Sequence, residues 1–189
     1  RWIHGLRERQ AQAAPKRGPG EDRVRAVLAA LRRQAPEKHI VVCEAPSHTE
    51  VMPDALRMEQ PGSLHHSGGS GLGWGINAAL GAKLANPDHL VTAIVGDGCF
   101  MFGVPTSCYW VSRQYELPFL TVLLNNGGWR SPSISTNLVH EDGPAKASNR
   151  YHINAGRGVR FDGVAAAAGD AATFTIDTDD GIETIMKQA

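Results

Sequence analysis

The sequence predicts an α/β domain built on a mostly parallel sheet flanked by helices. Three observations carry this. Apolar runs of strand length, 39–44, 91–95 and 118–124, alternate with stretches of helical periodicity. Each of these runs ends in a polar or glycine-rich turn: 45–49, Gly96-Asp97-Gly98 and Asn125-Asn126. The chain of 189 residues, 42% hydrophobic and 20% charged, suits one globular domain with a proper core.

In chain order, residues 1–22 are polar, with Arg17-Gly-Pro-Gly20 among them, and read as a linker or exposed arm before a domain over 23–189. Asp22 is placed to cap a helix to about Gln34, whose Val24, Val27, Leu28 and Leu31 share one face. The buried strand 39–44 follows, then the turn 45–49 and a short helix over about 50–58. A glycine-rich stretch, 68–75, leads into a helix with Ile76, Leu80 and Leu84 at i, i+4, i+8. It must stop before Asn86-Pro87, because a residue preceding proline avoids the α region. After strand 91–95, Val104-Pro105 opens a crossover helix to about Tyr115, and strand 118–124 follows it. Residues 127–160 are rich in Gly, Pro, Ser and Asn and read as a long irregular section, an uncommon length for a loop without a function. An Ala-rich helix from Asp162 to Gly169, a strand over 172–176 and a helix over 179–188 complete the pattern.

Composition excludes several function classes. The 19 basic and 19 acidic residues balance, so there is no nucleic-acid footprint. No segment has the apolar length of a membrane span. Three scattered cysteines (Cys43, Cys99, Cys108) form no disulfide framework and no CxxC, which fits reduced thiols in a cytoplasmic or organellar compartment. The start at Arg1 suggests a fragment or processed chain.

The chemistry concentrates in two motifs. Gly96-Asp97-Gly98 ends one strand and Asn125-Asn126 ends the next, with 99–124 between them long enough for one helix and one strand. This βαβ unit brings a carboxylate and an amide oxygen to the carboxyl ends of parallel strands, where ligands of open sheets bind. Such a pair can hold a hard divalent cation like Mg²⁺, which takes few protein oxygens and completes its octahedron with water and substrate phosphate.

Gly-Asp-Gly followed at an interval by Asn-Asn resembles the cofactor motif of the thiamine-diphosphate enzymes. The stretch Pro61-Gly-Ser-Leu-His-His-Ser-Gly-Gly-Ser-Gly-Leu-Gly-Trp-Gly-Ile-Asn-Ala-Ala-Leu-Gly-Ala82 is similar to the glycine-rich segment of their decarboxylase and acetolactate-synthase branch, benzoylformate decarboxylases included. A lone Gly-Asp-Gly is weak evidence; linked motifs in order over residues 38–187 are much stronger. The resemblance implies the fold of the carboxyl-terminal diphosphate-binding domain, with a final strand expected beyond Ala189. It implies thiamine diphosphate and Mg²⁺ as cofactors, with Asp97, the Asn126 side chain and the Gly128 main-chain carbonyl as metal ligands. Asn125 then holds the turn, and the pair Gly127-Gly128 leaves the loop loose before cofactor binds.

For the organic cofactor, the resemblance implies that Gly96, Gly98 and the Cys99 amide approach the diphosphate. Cys99 stands where relatives often have Ser. Leu72, between Gly71 and Gly73, matches the apolar residue that props the two rings into a bent shape and favours deprotonation of the thiazolium, with core packing as the competing reading. Ser70 matches the position whose carbonyl accepts from the pyrimidine amino group. Ser47 keeps a hydroxyl where relatives present one to the diphosphate, a surface turn being the other reading. His48, His65 and His66 are candidates for acid–base or pocket roles, against plain structural histidines. Trp129 and residues 130–150 are a candidate lid.

The glutamate that drives cofactor activation in this family lies in a separate pyrimidine-binding domain, from the same or a partner chain, so no catalytic residue is expected within these residues. The implied whole is a 2-oxo acid decarboxylase or carboligase that assembles as a homo-oligomer, with the isolated chain inactive and prone to associate. Rival readings are a non-catalytic cofactor- or partner-binding module and the small subunit of a two-subunit decarboxylase.

Overall fold

A computed structural model describes residues 20–69, 71–155 and 158–189. Most of the expected arm, residues 1–19, lies outside the described residues, as does Ser70.

Four strands form one all-parallel sheet: β1 (His39–Glu44), β2 (Leu64–His66), β3 (Leu90–Gly96) and β4 (Leu120–Leu124), in the spatial order β2-β1-β3-β4. Helix α1 (Glu21–Gln34) precedes β1. A short 3₁₀ turn (Pro46–His48) and α2 (Val51–Leu56) lead to β2, and α3 (Gly75–Ala85) leads to β3. Two helices, α4 (Asp97–Phe102) and α5 (Pro105–Gln114), join β3 to β4. Beyond it come α6 (Arg130–Val139), α7 (Pro144–Ser148), α8 (Phe161–Gly169) and α9 (Ile182–Gln188).

The central strands are buried on both faces, as parallel sheets require. Their two-residue period sorts the core into two layers. Ile40, Val42, Val91, Ala93 and Val95 pack with Ile76 and Ala79 of α3, Tyr109 of α5, and Phe161 and Ala165 of α8. Val41, Cys43 and Ile94 face Leu28 and Leu31 of α1 and Met52 and Leu56 of α2. Phe100 fills the first layer, edge-on to Phe161 at 5.8 Å between ring centroids.

From β1 the chain passes first to β2 on one side, then returns to β3 on the other, and its crossover helices change face of the sheet. The gap between the carboxyl ends of β1 and β3 is therefore the switch point, the place where open sheets form a ligand crevice.

Several expectations are corrected. Gly20, not Asp22, is the N-cap of α1; Asp22 lies in its first turn. Gly20 adopts φ 85°, which a glycine takes without steric cost, and so sets the entry. The span 99–124 holds most of one short helix and a second helix before its strand, because Gly103 and the left-handed Val104 (φ 50°) break the crossover in two. Residues 127–160 are not irregular throughout. In α6, Ser133 and Thr136 turn their hydroxyls back on the carbonyls of Arg130 and Pro132, a helix-compatible use of residues that read as loop formers. Residues 172–176 make no strand. Ile176 packs instead against the cluster of Val27, Ala30 and Ile182, so its apolar surface is partly covered without a ladder. β2 was unexpected, since a three-residue strand ending in two histidines carries no apolar run.

No helix among the described residues is long and apolar enough to cross a membrane. All three cysteines are free and buried.

Candidate functional site

The parallel register aligns the strand ends. Glu44 stands opposite Val95, and Gly96 opposite Leu124. The turn 45–48, Asp97 and the turn 125–129 therefore emerge from one edge of the sheet.

Asp97 is the first residue of α4 and is only 1% exposed. Its Oδ1 accepts from the Gly98 amide at 2.9 Å. Its Oδ2 is buried with no hydrogen-bond partner. A carboxylate oxygen left unpaired inside a protein is costly, which is the signature of a group awaiting a ligand. Strand β3 supplies the rigid support, and Gly96 in extended backbone (φ −73°, ψ 157°) turns the chain sharply into the helix.

The second turn is held from outside. Asn125 Oδ1 accepts from the Gly127 amide at 3.1 Å. Gly127 and Gly128 take φ 86° and 151°, conformations that favour glycine. Residues 153–155 then run antiparallel beside the turn. Trp129 donates to the Ile153 carbonyl at 2.8 Å, and Ala155 donates to that of Gly127 at 2.9 Å. The loose loop expected for Gly127-Gly128 is instead pinned. The Gly128 carbonyl accepts from Arg130 at 3.1 Å and keeps its second lone pair. Asn126 is exposed at the head of the turn.

Trp129 closes the space between the two turns. Its indole lies so near Gly98 that a Cβ there would stand 2.5 Å from Cδ1. The indole Nε1 is a second buried polar atom with no partner. One unpaired acceptor (Asp97 Oδ2) and one unpaired donor thus belong to the two turns that the Gly98–Trp129 contact brings together.

The glycine-rich loop forms the other wall. Leu72 is 42% exposed at its crest, not in the core. Behind it lies a residue that the sequence pattern did not single out. Glu44, the last residue of β1, is 7% exposed. Its Oε1 accepts from the Gly73 amide at 2.7 Å and its Oε2 from the Gly75 amide at 2.5 Å. A charged residue closing an otherwise apolar strand was the available signal. Burial pushes the Cys99 thiol up to about 12, and Glu44, which accepts from it, pushes the same way. Cys99 is therefore a neutral thiol, and only its main-chain amide suits an anion.

Ser47 is exposed in the 3₁₀ turn. Burial lowers the pKa of its neighbour His48, with the Arg130 cation adding to the effect. His65 binds the Gly62 carbonyl through Nε2 at 2.8 Å, a structural role, and His66 is exposed on β2. Residues 130–150, the candidate lid, carry the helices α6 and α7.

Among the described residues, no three His, Cys, Asp or Glu side chains gather into a metal-binding group. The donors present are instead one carboxylate, one amide and one main-chain carbonyl. This sparse oxygen set matches a cation whose remaining ligands are water and phosphate. On the evidence of the unpaired Asp97 oxygen, the residues fit Mg²⁺ with a diphosphate.

Residues 45–189 match the family model described as "Thiamine pyrophosphate enzyme, C-terminal TPP binding domain". The chain belongs to that family. Among its relatives, benzoylformate decarboxylase of Pseudomonas aeruginosa is 37% identical over 93 residues, 49% of this chain and 17% of that protein. Acetolactate synthase isozyme 3 large subunit of Escherichia coli is 29% identical over 128 residues, 66% of this chain and 22% of the subunit. The solved structure of a thiamine diphosphate-dependent 4-hydroxybenzoylformate decarboxylase from Rhodococcus jostii RHA1 superposes with a TM-score of 0.75 at 26% identity, covering 87% of this chain and 29% of that one. The matched stretches are thus a minor part of each relative.

Proposed function

We propose that this chain holds the diphosphate end of thiamine diphosphate, bridged by Mg²⁺, in a protein that decarboxylates a 2-oxo acid or couples it to a second carbonyl compound. The observation that carries the reading is the buried Asp97 carboxylate, one oxygen unpaired, at the switch point of a family member's sheet. Asp97, Asn126 and the Gly128 carbonyl would hold the metal. The Gly98 and Cys99 amides and the Ser47 hydroxyl would receive diphosphate oxygens, with Gly96 and Gly71 keeping the backbone close and the Trp129 indole excluding water from the turn. The Ser70 carbonyl would accept from the cofactor's pyrimidine amino group, and Leu72 would support its ring portion. When bound, thiamine diphosphate supplies an electron sink for decarboxylation. This chain's contribution is to fix the sink in place and keep the site dry.

By the same reading, the glutamate that activates the cofactor comes from a pyrimidine-binding domain, on the same or a partner chain, and the working form is a homo-oligomer. Exposed Met101, Phe102 and Val104, close to the Leu72 loop, supply apolar surface for such contacts. The test is calorimetry with thiamine diphosphate and Mg²⁺. The wild-type chain should bind only when both are present, and Asp97→Ala should abolish the signal. Undiminished binding by that variant would end the assignment.

A further inference from the structure

The Leu72 loop is anchored on both sides of its backbone. The peptide joining Leu72 to Gly73 donates to Glu44 Oε1, and two residues on the Gly75 amide donates to Oε2 of the same carboxylate. On the carbonyl side, Asn77 Nδ2 donates to Gly73 at 3.1 Å and to Gly103 at 2.8 Å. That second bond ties the loop to the end of α4. Gly73 takes φ 85°, and a Cβ there would stand 2.6 Å from the Phe102 carbonyl, so the loop rests directly on that helix end. Gly75 is equally confined, its Cβ position 2.9 Å from Glu44 Cβ.

Charge-assisted bonds to a buried carboxylate are the strong kind. Two of them converge on Gly73 and Gly75, which flank the core-packed Trp74 and directly follow Leu72, whose large side chain stands exposed. An exposed apolar group on so tightly held a backbone gains nothing for the fold. It is the arrangement of a preorganised contact surface, in which ordering costs are met before the ligand arrives.

We infer that Glu44 and Asn77 are positioning residues that hold Leu72 at a fixed place above the cofactor cradle. Neither touches the cofactor; they act through the loop. The inference rests on the cofactor reading proposed above, and it separates the site into two parts. Asp97 and the turn 125–129 serve the diphosphate, while Glu44 and Asn77 serve the ring portion through Leu72.

The experiment uses the 189-residue chain and two probes, thiamine diphosphate and inorganic pyrophosphate, each with Mg²⁺. In Glu44→Gln, thiamine diphosphate affinity should fall by at least about tenfold, the scale of a lost bond to a charged group. Pyrophosphate affinity should be unchanged, a split that general damage to the fold would not produce. Amide exchange at Gly73 and Gly75 should accelerate while residues 91–95 of β3 keep their protection. Asn77→Ala, at an exposed position, should show the same split and carries the test if Glu44→Gln does not fold. Equal losses for both probes, or no loss for either, would overturn the positioning role alone. A wild-type chain that binds neither probe defeats the cofactor reading, and the positioning role with it.

Discussion

The Trp129 indole and Gly98 share one space. A Cβ at residue 98 would stand 2.5 Å from Trp129 Cδ1 and 2.6 Å from Nε1. The contact joins the end of β3 to the end of β4 and makes glycine necessary at 98 for a reason other than backbone strain. Gly98→Ala is expected to push the indole aside, shifting the Trp129 Nε1–H resonance. It should weaken Mg²⁺-dependent cofactor binding by about tenfold or more, as a displaced preorganised group does. An unmoved resonance would show that the added methyl fits without displacing the ring.

Asp97 sets function against stability. Its buried Oδ2 lacks a partner, and a charge in that state lowers the stability of the ligand-free chain. Asp97→Asn should raise that stability by about 1 kcal/mol while abolishing metal-dependent binding. Denaturant unfolding and calorimetry on the same preparation check both halves.

At Gly128 any side chain meets the Ile153 carbonyl oxygen, and the φ of 151° disfavours one as well. Gly128→Ala should therefore cost at least about 2 kcal/mol. It should also release residues 153–155 from the turn, seen as faster exchange at the Trp129 and Ala155 amides. Full protection of those amides in the variant would refute the account.

His39, at the opposite end of β1 from the site, predicts how stability varies with pH. Its ring is buried and shares a 2.9 Å hydrogen bond with Thr92 Oγ1. Burial lowers its pKa from 6.5 to about 4. Between those values the unfolded chain binds a proton that the folded chain refuses, so stability rises with pH. The contribution is fully present above pH 6.5 and is lost as pH falls toward 4, amounting to up to about 3 kcal/mol. Unfolding midpoints measured across this window should fall in the wild type and fall less in His39→Gln. Equal slopes would place the acid sensitivity elsewhere.

The proposed division of labour predicts that the purified chain, with Mg²⁺, thiamine diphosphate and a panel of 2-oxo acids, turns over no faster than free cofactor. Clear turnover would mean that a proton-transfer group lies within these residues after all.

What was legible in the sequence was what periodicity and strand-end chemistry write locally. Strands β1, β3 and β4 carry largely apolar runs, and α1, α3 and α5 carry helical spacing, so each was placed to within a few residues. Asp97 and the turn from Asn125 stood out because polar residues abruptly end apolar strands. Less legible were elements stabilised by contacts distant in sequence. β2 exists because β1 offers it a ladder, and α4 because Phe100 has an aromatic cluster to fill. Residues 172–176 alternate like a strand yet form none: Ile176 packs on a cluster while Phe174 stays exposed. Glu44 escaped notice because its importance lies in which amides meet it some thirty residues later in the chain.

The close fit between Glu44 and Gly75 has a consequence for how such sequences diverge. With the Cβ position of residue 75 lying 2.9 Å from Glu44 Cβ and 3.0 Å from Oε2, neither position is free to drift alone. Shortening the acid at 44 would leave its Cβ and Val95 Cγ1, 2.8 Å from that position, in the way of any side chain at 75, and withdrawing the acid strands the amides it served. Both positions are therefore held from more than one side, and an aligned set of descendants should keep glycine at 75 wherever the acid at 44 is kept.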